Sequence, residues 1–245
     1  PCEDAEVDRS ATFASLRVHN YRRYAAGGLV SNAGTWMGRV AQDWLVLTEL
    51  TDHSSTALSL ATGLQFAPFL VLAPWTGMIA DRFPKRRILV TTQTTLAVTA
   101  LLLGILTVSG VVQLWQVYAL AFVQGLAQAI DNPARQAFVT EVVGPGHLAN
   151  AVALNSASFN AGRLIGPGAA GLIIAAYGTG AAMLVNSLSF LLLLFALLTM
   201  RADDLQPAPL ARGRGRIREG LVYVRGRTDI KVILVLVFVL GTFGM

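Results

Sequence analysis

The length of the apolar runs constrains this chain more than any other feature. They come as blocks of about twenty residues, the number a helix needs to cross a hydrocarbon layer about 30 Å thick. They neither alternate as strands do nor form the single stripe of a soluble amphipathic helix. Six blocks stand out, at about 24–50, 57–80, 88–109, 114–132, 148–177 and 181–200. Residues 201–229 are hydrophilic, and a last apolar run, 230–245, offers about 24 Å of helix at ~1.5 Å per residue, too short for a full span. The expected fold is therefore an all-α multi-pass membrane helix bundle. Its parts are a segment 1–23 with an interfacial helix, a six-span bundle 24–200, a central loop 201–229 and a truncated seventh span 230–245. Only 13% of the residues are charged, about half the usual share, and this excludes a soluble globular enzyme. The chain begins at Pro1 and stops at Met245 inside an apolar run, so it reads as a fragment.

Topology follows from where the 19 Lys and Arg residues fall. Arg39 and Arg163 lie inside spans. The others sit at the amino terminus, after spans two, four and six, or in the 201–229 loop and the start of the last run. The intervening loops 51–56, 110–113 and 178–180 hold none. By the positive-inside rule this predicts a cytoplasmic amino terminus and six spans in a cell (inner) membrane. The tract Arg212-Gly213-Arg214-Gly215-Arg216 has the composition of a nucleic-acid tract, but between spans it reads as a retention charge touching anionic lipid. No nucleic-acid partner is expected. Two flanking stretches, Phe13, Leu16, Tyr21 and Tyr24, then Ile217, Leu221 and Val224, have the spacing of short interfacial helices.

Chemistry of the usual enzymatic kinds is absent from the sequence. A single cysteine, Cys2, and three scattered histidines provide no disulfide and no metal-ligand spacing. No Walker A sequence, dinucleotide fingerprint or His-Glu-x-x-His occurs. Neither enzymatic activity nor a cofactor is expected.

Ionisable residues inside spans default to functional candidates. At 100° per residue, Asn32, Thr35, Arg39, Gln42 and Asp43 fall within an arc of about 100°, a polar stripe suited to a water-filled cavity. Arg39 and Asp43 are spaced to pair. One reading has Asp43 exchange a proton while Arg39 tunes it; the other makes them a permanent structural pair. Arg163 is expected to pair within the bundle or face the cavity. Gln65, Gln124, Gln128, Asn155, Asn160 and Asn186 are cavity candidates or interhelical hydrogen bonds.

Two ordered motifs go further. Between spans two and three stands Gly77-x-x-x-Asp81-Arg82-x-Pro84-Lys85-Arg86-Arg87. Here Gly77 permits close packing, and Asp81 with the basic cluster can form charge pairs. Span five contains Gly162-Arg163-Leu164-Ile165-Gly166-Pro167-Gly168-Ala169-Ala170-Gly171. Its Gly162 and Gly166 allow close helix approach, and Pro167 removes a backbone hydrogen bond. The first motif resembles the cytoplasmic loop motif of the major facilitator superfamily, with Pro84 in place of the usual Gly. The second resembles that superfamily's fifth-helix motif, with Ala170 in place of Gly. Phrases such as Gly34-Thr35-Trp36-Met37, Asp131-Asn132-Pro133-Ala134-Arg135-Gln136 and Arg218-Glu219-Gly220-Leu221-Val222-Tyr223-Val224-Arg225 are similar to its enterobactin-exporter-like and macrolide-efflux-like branch.

The resemblance implies the amino-terminal half of a twelve-helix transporter, built as two inverted three-helix repeats. It implies export of small amphipathic molecules, drug-like or siderophore-like, by proton antiport and alternating access. Membrane lipid, the substrate, protons and the missing carboxyl-terminal half are the implied partners. The span-four Arg of many proton-coupled exporters is replaced by Ala121, so no mechanism resting on it carries over. Asp131 and Arg135 are implied gating residues expected to pair with Arg82 and Asp81. The rival readings are an importer of the same superfamily and a non-transporting half-transporter or membrane scaffold.

Overall fold

A computed structural model of the chain describes residues 13–201, 204 and 205. The hydrophilic loop beyond residue 205, the second interfacial stretch (Ile217, Leu221, Val224) and the truncated seventh span lie outside the described residues. By its contacts the chain divides into two units, Pro1–Leu210 and Ala211–Met245, and the described helices belong to the first.

A 3₁₀ turn, Ala14–Arg17, leads into α1 (His19–Trp44), which continues as a π-helical segment, Leu45–Leu50. Then follow α2 (Ser55–Arg82), α3 (Lys85–Val108), α4 (Leu114–Val143), a 3₁₀ turn Pro145–His147, α5 (Leu148–Tyr177) and α6 (Thr179–Leu198). Local chemistry sets the boundaries. Ser54 caps α2 by accepting from the Ala57 amide at 3.3 Å. Gln113 and Gln116 form a reciprocal capping box at the start of α4. Gly144 (φ 67°, ψ 179°) and Gly178 (φ 82°, ψ 171°) end α4 and α5 at positive φ with extended ψ, a region essentially reserved for glycine.

By length and composition α2, α3, α5 and α6 are apolar enough to cross a membrane. Helices α1 and α4 fall short because uncharged polar residues dilute their apolar stretches as well as charges, Ser31, Asn32 and Thr35 beside Arg39 in one and Gln116, Gln124 and Gln128 beside Asp131 in the other. Helix α4 also runs eleven residues past the expected end at Asn132. Its late charges find partners, so the apolar pattern stops there while the helix does not.

Helix α1 packs on α5 and α6, α4 packs on α2 and α3, and α3 packs on α6. Exchanging α1–α3 with α4–α6 leaves these main neighbours unchanged. Because α1 and α4 start from opposite ends of the bundle, the two triplets are inverted repeats. The buried core has a layer at each end. Tyr21, Tyr24, Leu89, Phe138, Leu193 and Leu197 fill one, and Leu45, Val46, Leu103, Val117 and Met183 fill the other. Among the most apolar helices, α2 and α5 are the least covered.

The expectation that Tyr21 and Tyr24 belong to an interfacial helix is corrected. Both are buried in α1, and the Tyr21 hydroxyl donates to the Ala151 carbonyl at 2.8 Å. Tyr24 sits edge-on to Phe138, centroids 5.5 Å apart. The helical spacing was real, but it marks a face packed on α4 and α5 rather than one at the headgroup layer.

Candidate functional site

The polar stripe of α1 meets three other helices. Asn32 donates to the Ser158 hydroxyl on α5 at 3.2 Å. Thr35 turns back to its own helix and donates to the Ser31 carbonyl. Arg39 donates through Nη2 to Oε1 of Gln128 on α4 at 2.9 Å. Gln42 is buried, and its Nε2 has no hydrogen-bond partner among the described residues. Asp43 is half-buried.

The Arg39/Asp43 spacing permits an ion pair, but the two charges, though near enough to act on each other, do not close to contact; the ion pairs among the described residues are Lys85–Glu141 and Arg135–Asp131. Arg39 is instead held between Gln128 and two rings. Its guanidinium carbon lies 4.7 Å from the Trp36 centroid and 5.2 Å from that of Phe66 on α2. Arg163 reaches the same indole from α5, 5.5 Å from its centroid. Phe159 meets Trp36 edge-on at 5.9 Å and 70°. The structure thus brings Arg39, Trp36, Phe66, Gln128, Phe159 and Arg163 together. Asn155 is half-buried further back along α5 and has no side-chain hydrogen bond among the described residues.

Glycines make this convergence possible. A Cβ on Gly162 would stand 2.8 Å from the Asn32 backbone, and one on Gly166 2.7 Å from the Ala33 carbonyl oxygen. Helices α1 and α5 therefore touch backbone to backbone, and Arg163 rises beside that contact. Ala170 continues the buried line, whereas Pro167 and Gly171 are exposed. On the other pair, a Cβ on Gly125 of α4 would strike the Gln65 carbonyl oxygen of α2 at 2.2 Å.

The loop motif is used differently from expectation. Gly77 faces open space, with nothing within 4 Å of where a Cβ would stand, so it packs no helix among the described residues. Asp81 and Arg82 are exposed and make no ion pair there. Lys85 is buried and pairs with Glu141 of α4 at 3.1 Å. Arg86 donates to the Leu197 and Leu198 carbonyls at the end of α6, at 3.0 and 3.1 Å, and Arg87 is exposed. Arg23 adds a third bond, to the Thr199 carbonyl, at 3.0 Å.

Asp131 and Arg135 do not pair with Arg82 and Asp81; they pair with each other at 2.9 Å. Asp131 also accepts from Thr92 at 2.6 Å and Gln93 at 2.9 Å on α3. The i, i+4 partner and two buried polar groups of α3 outcompete residues exposed at the end of α2. Sequence reasoning missed Glu141, Thr92 and Gln93 altogether. It also passed over Trp36 and Phe66 as site residues, although Trp36 stands three residues before Arg39 on the same helical face.

Two inverted three-helix repeats with a polar, arginine-bearing stripe at mid-bundle define a membrane protein of the major facilitator type. The chain belongs to the transmembrane secretion effector family of that superfamily, whose model matches residues 10–245. It is similar to the staphyloferrin A transporter of Staphylococcus aureus, 30% identical over 64% of this chain and 39% of the relative. It is also similar to the MFS-type transporter YfiS of Bacillus subtilis, 27% identical over 82% of this chain and 48% of the relative. Macrolide efflux protein A of Streptococcus pyogenes is 24% identical over 58% of this chain and 35% of the relative. The chain spans less than half the length of these relatives.

Proposed function

We propose that this chain forms the amino-terminal half of a secondary active transporter. It exports small amphipathic molecules, drug-like or siderophore-like, by alternating access in exchange for protons. The observation that carries the reading is the position of Arg39. It projects from the first helix of one repeat, bonds Gln128 on the first helix of the other, and lies mid-bundle where a charge is costly unless used. Asp43, one turn along, holds a carboxylate outside any ion pair among the described residues, free to take up and release a proton.

Membership of the secretion effector family and similarity to a macrolide efflux protein support export. The end bearing Arg22, Arg23, Lys85, Arg86 and Arg135 is taken as cytoplasmic in an inner membrane. Asp81 and Arg82, exposed at that end of α2, are available to pair with the second half when the cytoplasmic side closes. The test is substrate-dependent proton movement in proteoliposomes of the full-length protein, wild type against Asp43→Asn. The reading expects substrate addition to drive proton flux that Asp43→Asn abolishes. Substrate flux with proton coupling intact in the variant removes Asp43 from the mechanism; no flux of any tested compound overturns the transporter reading.

A further inference from the structure

The second cation at the indole gives the site a sign. Arginine keeps its charge at every pH a cell reaches, and charge at membrane depth is retained only where something meets it. Arg39 and Arg163 both stand within cation–π reach of Trp36, and neither belongs to an ion pair among the described residues. Arg39 spends one nitrogen on neutral Gln128, and its Nε has no hydrogen-bond partner among the described residues. Arg163 is exposed and makes no hydrogen bond or ion pair among the described residues. Asp43 supplies one negative charge against these two positive ones. Around the guanidiniums stand apolar rings from three helices: Trp36, Phe66 and Phe159.

We propose that the substrate is an organic anion. Its carboxylate, or another planar oxyanion, lies between the Arg39 and Arg163 guanidiniums, and a flat apolar body lies against Trp36, Phe66 and Phe159. A guanidinium fork suits this because it matches a carboxylate with two parallel bonds. The contact of Gly162 and Gly166 with α1 fixes the spacing by holding Arg163 over the indole. This assignment rests on the transporter reading and narrows it. It disfavours cationic amphiphiles, for which two arginines facing a single carboxylate, Asp43, leave a net positive wall.

The test uses the full-length protein in lipid nanodiscs and three probes with one ring system: 2-naphthoate, 2-naphthamide and protonated 2-naphthylmethylamine. Calorimetric binding is expected to be at least tenfold tighter for the carboxylate than for the amide, with the amine weakest. Arg163→Gln is expected to erase the preference and Arg163→Lys to keep part of it. Because Arg163 is exposed and makes no hydrogen bond among the described residues, the Gln variant loses only the contact with Trp36 and should unfold close to the wild-type temperature. Equal or tighter binding of amide or amine, or an unchanged preference in Arg163→Gln, overturns the assignment. Flux of the same probes into proteoliposomes separates the two readings. Flux without carboxylate preference sinks the anion assignment and leaves the transporter standing. Carboxylate-selective binding without flux of any probe supports the site and sinks the transporter.

Discussion

Arg39 of α1 and Gln128 of α4 are joined by a 2.9 Å hydrogen bond between the first helices of the two repeats. The bond pins the cation at mid-bundle without neutralising it. Gln128→Leu is expected to cost about 1–2 kcal/mol, the upper part of the range for interhelical hydrogen bonds in membranes, and to free the guanidinium to move. Gln128→Glu is expected to leave thermal stability unchanged or higher while weakening carboxylate binding, because Arg39 would then be satisfied internally. Thermal unfolding beside 2-naphthoate binding checks both; a Glu variant that binds the carboxylate as wild type does would contradict the argument.

The Lys85–Glu141 pair is a second join, between the start of α3 and the end of α4, and both side chains are buried. Breaking such a pair costs more than the pair contributes, since the survivor is left charged and dry. Glu141→Gln is expected to destabilise by about 3–5 kcal/mol. The double variant Lys85→Met/Glu141→Leu should recover most of that loss. Denaturant or thermal unfolding of the three variants reads the cycle, and a double variant no better than the single one would show that the charges themselves are not the cause.

The contrast between these joins and the loop motif shows what a sequence can disclose. Helix positions were legible because span length and apolarity are local properties, and the fifth block matches α5 (Leu148–Tyr177). Gly162 and Gly166 were legible as a packing face because their four-residue spacing places them on one side of any helix. Partner choice was not. Lys85 and Arg86 are adjacent, yet one turns to Glu141 and the other to carbonyls 111 and 112 residues away. The same positive-inside signal covers both. Asp43 shows the opposite limit: its spacing from Arg39 permits a pair, but the Trp36 ring of the same helix, with the Phe66 ring and the Gln128 amide of two others, seats Arg39 instead.

The carboxyl end of α6 carries carbonyl groups that have no intrahelical donor and the negative end of the helix dipole, and arginines gather there. Arg86 and Arg23 donate to the Leu197, Leu198 and Thr199 carbonyls, and Asn20 exchanges two hydrogen bonds with the Arg201 backbone. A cation at a helix carboxyl end is worth about 0.3–1 kcal/mol where exposed. Arg86→Gln and Asn20→Ala are each expected to lower global stability little. Both should raise amide exchange several-fold across the last turn of α6, read by hydrogen–deuterium exchange. Unaltered exchange there in both variants would mean that the end of α6 is held by packing alone.

Glycines of α5 provide the sharpest test of the packing argument, because neighbours on one helix differ in what surrounds them. A methyl group on Gly166 would lie 2.7 Å from both the Ala33 carbonyl oxygen and the Trp36 Cβ, and 3.0 Å from the Met37 amide nitrogen. Two of these are backbone atoms, which no rotamer change can clear, so α5 must shift away from α1. Overpacking of this kind costs about 1–3 kcal/mol. On Gly168 the same methyl meets nothing within 4 Å, and Ala is the better helix former by about 1 kcal/mol. Gly166→Ala is therefore expected to lower the unfolding temperature and, by moving Arg163 off Trp36, to weaken carboxylate binding about tenfold. Gly168→Ala should leave both at or above wild type. If the two variants behave alike, the close approach of α5 to α1 is not what positions the two arginines.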